Sequence, residues 1–184
     1  MIYPVEIYGS PVLRKVSQDI DSDYEGLSEL IEGMFETMYK ADGVGLAAPQ
    51  IGKNIRLIVI DATPMKDENP ELVGFKKVVI NPKVIERSGE PFKFNEGCLS
   101  LPDIREDVER PSKLSLTYYD EDINYHEETL DGVKARILMH EIDHLEGVLF
   151  VDRVSPIRKK LLRSKLNAIA KGKVVVSYKI RKPR

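Results

Sequence analysis

The chain has 184 residues, 42% hydrophobic and 32% charged, with a formal net charge of −2 at pH 7. That length and apolar content suffice for one full core and a single domain over residues 1–184. One cysteine excludes an internal disulfide and suits a reducing compartment. No cationic and apolar opening resembles a signal peptide, and no apolar run nears the ~20 residues that cross a bilayer, so a cytoplasmic protein without a membrane or DNA partner is expected.

Taken in chain order, the first strong period lies in residues 24–41, where Leu27, Leu30, Ile31, Met34, Phe35 and Met38 recur at the steps of an amphipathic helix. Next comes Gly43-Val44-Gly45-Leu46-Ala47-Ala48-Pro49-Gln50-Ile51-Gly52. A phosphate-cradling loop needs a strand before it and a helix after it, and here the helix comes first. Gly43 is expected instead to end that helix, and Gly45 to let backbone approach a neighbour closely. Gln50 offers a neutral amide donor.

Residues 55–61 and 76–81 are β-branched runs bounded by turn formers, and residues 63–70 read as an exposed loop. Leu114, Leu116 and Tyr118 alternate with polar neighbours as a half-buried strand does. Ser155-Pro156 starts a helix by cap and first-turn proline, with Ile157, Leu161, Leu162 and Ile169 as its apolar residues, and residues 173–180 read as a terminal strand. The fold class expected is α+β, with antiparallel or mixed sheets around a central helix that begins near Gly132.

That central helix carries His140-Glu141-Ile142-Asp143-His144, and with it two of the chain's three histidines. On a helix, positions i and i+4 lie about 40° apart around the axis and roughly 6 Å along it, so both imidazoles can reach one metal ion. Glu141 projects beside the pair, where a carboxylate can take a proton from water activated by that ion. A lone helical histidine is ordinarily a solvated or hydrogen-bonded side chain. Here Val133, Ile137 and Leu145 put both rings on or near the inward stripe, where a buried imidazole needs a partner.

Two nitrogens do not hold a catalytic metal, so a third protein ligand is required, with a position left for water. Phe150 stands where the third histidine of an HExxHxxGxxH pattern would be, and after Glu146 the chain has no Glu or His. The ligand therefore comes from upstream, unless it is Asp152, and His126 and Cys98 are the candidates. His126 lies in a heavily charged stretch and reads as a solvated hairpin or strand residue. Cys98, in Glu96-Gly97-Cys98-Leu99-Ser100-Leu101-Pro102, follows a glycine and precedes a proline-stopped apolar segment, a context that presents a side chain at a fixed place. Its thiolate would complete a Cys/His/His set soft enough for iron, zinc, cobalt or nickel.

Together, GVGLAAPQ, EGCLS and HEIDH, in this order and spacing, resemble the three motifs of bacterial peptide deformylase, and the resemblance spans most of residues 5–155. It implies Cys98, His140 and His144 as ligands of one divalent ion, Fe2+ foremost with Zn2+, Ni2+ or Co2+ as alternatives. Glu141 would act as general base and then acid, with the Gln50 amide and the Leu99 backbone N–H as oxyanion donors. Gly43, Val44 and Gly45 would line the peptide groove, and Glu96, Gly97 and Ile137 would lie near an apolar pocket for the methionine side chain. The implied substrate is the N-formyl-methionine of a nascent polypeptide, and the products are formate and a free amino terminus. One departure is Met139, where most members carry Gln, which is expected to alter the pocket wall.

Charge is distributed unevenly. From residue 153 onward there are twelve Lys or Arg and no Asp or Glu, which leaves 16 basic and 30 acidic residues before it. The basic segment packs on the acidic body, forms a solvated face, or contacts ribosomal RNA. Three other function classes share some of these residues: a metallopeptidase with an upstream Cys ligand, a non-catalytic structural-metal protein, and a cysteine hydrolase using Cys98 with a histidine.

Overall fold

The computed structural model describes residues 1–183. The chain opens with β1 (Val5–Glu6), α1 (Leu27–Lys40), β2 (Gly45–Ala47) and β3 (Leu57–Asp61). A run of strands follows: β4 (Lys76–Ser88), β5 (Phe92–Cys98), β6 (Leu101–Arg110), β7 (Lys113–Tyr119) and β8 (Tyr125–Asp131). It closes with α2 (Gly132–Leu145), α3 (Pro156–Ala170) and β9 (Ile180–Arg181).

Five strands form an antiparallel sheet in the order β2-β3-β4-β7-β8. β5 and β6 make a separate antiparallel hairpin, and β1 pairs with β9 in parallel. The continuous apolar run of β3 has a simple cause: both of its faces are covered. Ile58 and Ile60 pack into the core shared with α2, while Leu57 and Val59 pack on the opposite face with Leu30, Met34 and Met38 of α1. Each such side chain stabilises the fold by roughly 1.5–3 kcal/mol. A third apolar cluster joins Ile7 to Leu101, Ile104 and Val108 of β6 and Leu162, Leu166 and Ile169 of α3.

The expected α+β class and central helix are what the structure contains, with several elements corrected in detail. α1 ends at Lys40, and Asp42 rather than Gly43 takes the left-handed conformation beyond it, with φ 54°; a short Asx side chain tolerates that region. Gly43 matters for another reason: a Cβ there would lie 2.9 Å from the Leu99 side chain. β4 runs to Ser88, past an irregularity at Asn81 and Pro82 where the register with β7 shifts. α2 is buried on nearly every side rather than along one stripe, because both the sheet and the hairpin pack on it. In α3, Leu162, Leu166 and Ile169 face inward, whereas Ile157 and Leu161 are exposed. The expected terminal strand over 173–180 pairs only at its end, through Ile180 and Arg181.

Candidate metal centre

Three distant stretches of sequence meet at α2. The ligand atoms of Cys98, His140 and His144 lie within 4.8 Å of one another, and Cys98 Sγ is 3.3 Å from His144 Nε2. Cys98 ends β5, whose pairing with β6 makes a register shift at Gly97/Cys98; that irregularity turns the chain at the point where the sulfur is presented. The two imidazoles come from successive turns of α2, with ring centroids 5.1 Å apart. His140 also stacks on Phe150, the residue that displaces the third histidine of the longer pattern.

The donor set fits a divalent ion of intermediate softness. A second feature supports this: His140 Nδ1 and Glu96 Oε2 are 2.9 Å apart, so the ring's other nitrogen is fixed by a carboxylate, as is usual for metal-binding histidines. Burial is the main cause that holds the His144 pKa well below its ordinary value, which favours the neutral imidazole that can donate a lone pair. The two other candidates for third ligand are engaged elsewhere. His126 lies on β8, stacked on Tyr118 with Nε2 2.7 Å from Asp120. Asp152 accepts from Arg14, from the Leu149 N–H and from Lys159.

Glu141 is buried, its Oε2 has no hydrogen-bond partner, and burial pushes its carboxyl up to about 7. Its room is supplied by Gly45, since a Cβ there would stand 2.8 Å from Glu141 Cδ. Gln50 is buried and its amide orientation is fixed. Oε1 accepts from the Ala47 N–H at 2.8 Å, which turns Nε2 toward Cys98 Sγ at 3.5 Å and Ser100 Oγ at 3.2 Å. The Leu99 N–H sits in the β5–β6 turn and donates to no group among the described residues.

These groups open onto a cleft of about 720 Å³, bordered by Gly43, Val44, Gly45, Glu96, Gly97 and Ile137, all six of the expected substrate residues. Glu96 borders the cleft, and its carboxylate is also bound from within the fold. Its carboxylate is taken up by Arg110 at 2.7 and 2.9 Å, by Arg136 at 3.0 Å and by His140. Burial alone would raise its pKa, but the bonds from Arg110 and His140 hold it well below the usual carboxylate range. Arg110 also reaches Asp143 at 2.7 Å, and Arg153 closes the network onto Asp143 at 2.6 Å. Met139 is corrected: it is buried in the core between α2 and the sheet, away from the cleft.

Sequence reasoning missed Arg110, Arg136 and Asp143. The alternation of β6 carried a signal, because Ile104, Glu106, Val108 and Arg110 share its inward phase, and an inward charge demands a partner. Glu106 finds one in Arg158, and Arg110 in Glu96.

An HExxH helix whose two imidazoles meet a cysteine sulfur beside a cleft defines the class as metal-dependent hydrolase. Comparison with known proteins makes this particular. Residues 2–160 match the family model described as polypeptide deformylase. The chain is 49% identical to a peptide deformylase of Christiangramia forsetii, covering 100% of this chain and 97% of that one, and 48% identical to one of Flavobacterium johnsoniae, covering 98% and 96%. Among solved structures it resembles a peptide deformylase from Legionella pneumophila with TM-score 0.81, 38% identity and coverage of 94% and 98%. It also resembles the one from Thermotoga maritima with TM-score 0.75, 42% identity and coverage of 85% and 99%. The chain belongs to the polypeptide deformylase family, metal-dependent enzymes that remove the N-formyl group from nascent polypeptides.

Proposed function

We propose that Cys98, His140 and His144 hold one divalent ion, Fe2+ foremost, and that Glu141 is the proton carrier of formamide hydrolysis. The observation that carries this reading is the convergence of those three ligand atoms beside a buried, unpartnered Glu141 carboxylate. When bound, the ion supplies Lewis acidity, which brings water within reach of deprotonation near neutral pH.

Glu141 takes that proton as the nucleophile adds to the formyl carbon, and returns it to the methionine nitrogen as the C–N bond breaks, so formate and a free amine leave. A base whose pKa lies near the working pH does this best, and burial raises Glu141 toward that range. Gln50 Nε2–H and the Leu99 N–H are the donors for the oxygen on which negative charge develops; each such donor is worth about 10²–10³ in rate. Glu96, held by two arginines, acts as the acceptor that orients His140. Ile137 and Gly97 border the methionine pocket. β2 is an edge strand of its sheet, and its Gly43–Gly45 end suits addition of an extended peptide.

The chain is proposed to act as one catalytic domain in the cytoplasm, with a basic segment from about residue 153. Four of that segment's cations pair with acids of the body: Arg153 with Asp143, Arg158 with Glu106, Lys159 with Asp152 and Arg181 with Glu6. Lys160, Arg163 and Lys165 on α3 make no ion pair among the described residues, and these are proposed to contact ribosomal RNA. The deciding test is formate release from formyl-Met-Ala-Ser by protein purified anaerobically. Wild type should release formate with every peptide bond intact, and Glu141→Ala should lose about 10²–10⁴ of that rate while keeping its ion. Turnover by Glu141→Ala near the wild-type rate would sink the assignment.

A further inference from the structure

Between α3 and β9 the chain runs along the cleft, which Val175, Val176, Ser177 and Tyr178 border. Residues 173–176 belong to no helix or turn and the chain bends at Ser177 and Tyr178, with Val174, Val176, Tyr178 and Ile180 half-buried and Lys173, Val175, Ser177 and Lys179 exposed. Both ends are anchored. At the start, Gly172 makes a left-handed turn with φ 65°, and the Lys173 N–H bonds the Ala168 carbonyl. At the far end, the Val5 N–H bonds the Lys179 carbonyl at 2.9 Å and Arg181 pairs with Glu6. In the middle, the Tyr178 hydroxyl donates to the Leu99 carbonyl at 2.7 Å, tying the strap to the turn that carries Cys98. Val174 and Ile180 pack into the cluster beneath.

Between these anchors, the backbone N–H and C=O groups of residues 174–178 bond to no partner among the described residues, although Val175, Val176, Ser177 and Tyr178 border the cleft. A segment with this alternation and free main-chain groups is a template for pairing with an extended peptide. Its cleft already contains a second free edge, at Gly43–Gly45. The Val175 side chain is 94% exposed, so it performs no packing duty for the fold. Residues 173–180 themselves lie outside residues 2–160, the part that matches the family model.

We infer that this strap is a specificity-determining wall of the substrate groove: its main chain pairs with the extended peptide downstream of formyl-methionine, and Val175 meets one of that peptide's side chains. The inference rests on the deformylase reading and adds the element that senses the second to fourth residues of the substrate.

The test uses the full-length, metal-loaded enzyme with Val175→Asp and Val175→Lys, on formyl-Met tetrapeptides carrying Lys or Glu at position two, three or four. The readout is the ratio of kcat/KM for the Lys peptide to that for the Glu peptide. At one position Val175→Asp should raise the ratio about fivefold over wild type and Val175→Lys should lower it by a similar factor, mainly through KM, as expected for an exposed charge pair. A change in folding or metal loading moves both substrates together and leaves the ratio where it was. Wild-type ratios at all three positions in both variants would overturn the inference. A wild type that releases no formate would overturn the deformylase reading instead.

Discussion

Gly45 sets how closely β2 approaches the HExxH helix. A Cβ there would press on Glu141 Oε1 and stand 2.8 Å from Cδ, and Glu141 is buried, with little room to yield. The close approach anticipated for this glycine from its sequence context thus has a named neighbour, the residue proposed to carry the proton. Gly45→Ala should leave the fold and metal content intact and lower kcat by about 10²-fold, the scale of loss when a reacting group is displaced by an ångström. Steady-state kinetics beside circular dichroism and metal analysis checks this; unchanged kcat would show that Glu141 tolerates displacement.

At the scale of elements, Asp152 fastens three pieces of chain: Arg14 in the first turn, the Leu149 N–H, and Lys159 of α3. Burial raises its pKa, but the bond from Arg14, then those from Leu149 and Lys159, lower it below the ordinary value overall. A depressed carboxylate contributes stability that is complete above its unfolded pKa, about 4, and is lost as pH falls through its folded value. Arg14 is 42% exposed, so the contribution is discounted to about 1 kcal/mol. Asp152→Asn should therefore lower Tm by about 2–4 °C at pH 7 and by less at pH 3. An equal drop at both values would exclude the ionic part of this account.

Which elements were legible follows from how each is buried. β3 and α1 carry apolar residues on the faces the core covers, and their runs and periods read directly from the sequence. β5, β6 and β8 are rich in charge, because their outward faces meet solvent and their inward charges are paired, so composition hid them. Residues 173–179 have strand composition without a neighbouring strand, a matter of tertiary placement that local propensity does not encode. His140 and His144 could be read as a pair because HExxH fixes their spacing within one helix; the arginines that hold Glu96 could not, since Arg110 and Arg136 meet it from other elements.

For the whole molecule, the body carries 16 basic and 30 acidic residues and the segment from residue 153 carries twelve basic ones. Part of that excess goes into pairing with the body through Arg153, Arg158, Lys159 and Arg181, which is one of the readings the sequence offered. No described helix is long and apolar enough to cross a membrane. If the remaining cations of α3 meet ribosomal RNA, replacing Lys160, Arg163 and Lys165 with Glu should abolish co-sedimentation with ribosomes at low salt, and wild-type binding should weaken steeply as salt rises. Co-sedimentation equal to wild type would remove RNA contact from the account.

Everything proposed for the reaction depends on one sulfur and two imidazoles sharing a cation. X-ray absorption at the metal edge of anaerobically purified protein, with metal analysis of Cys98→Ala, measures this directly. One ion per chain is expected, with one sulfur and two nitrogen ligands from the protein, and a large loss of bound ion and of formate release in Cys98→Ala. A metal edge without sulfur, or a Cys98→Ala protein that keeps both its ion and its activity, would contradict it.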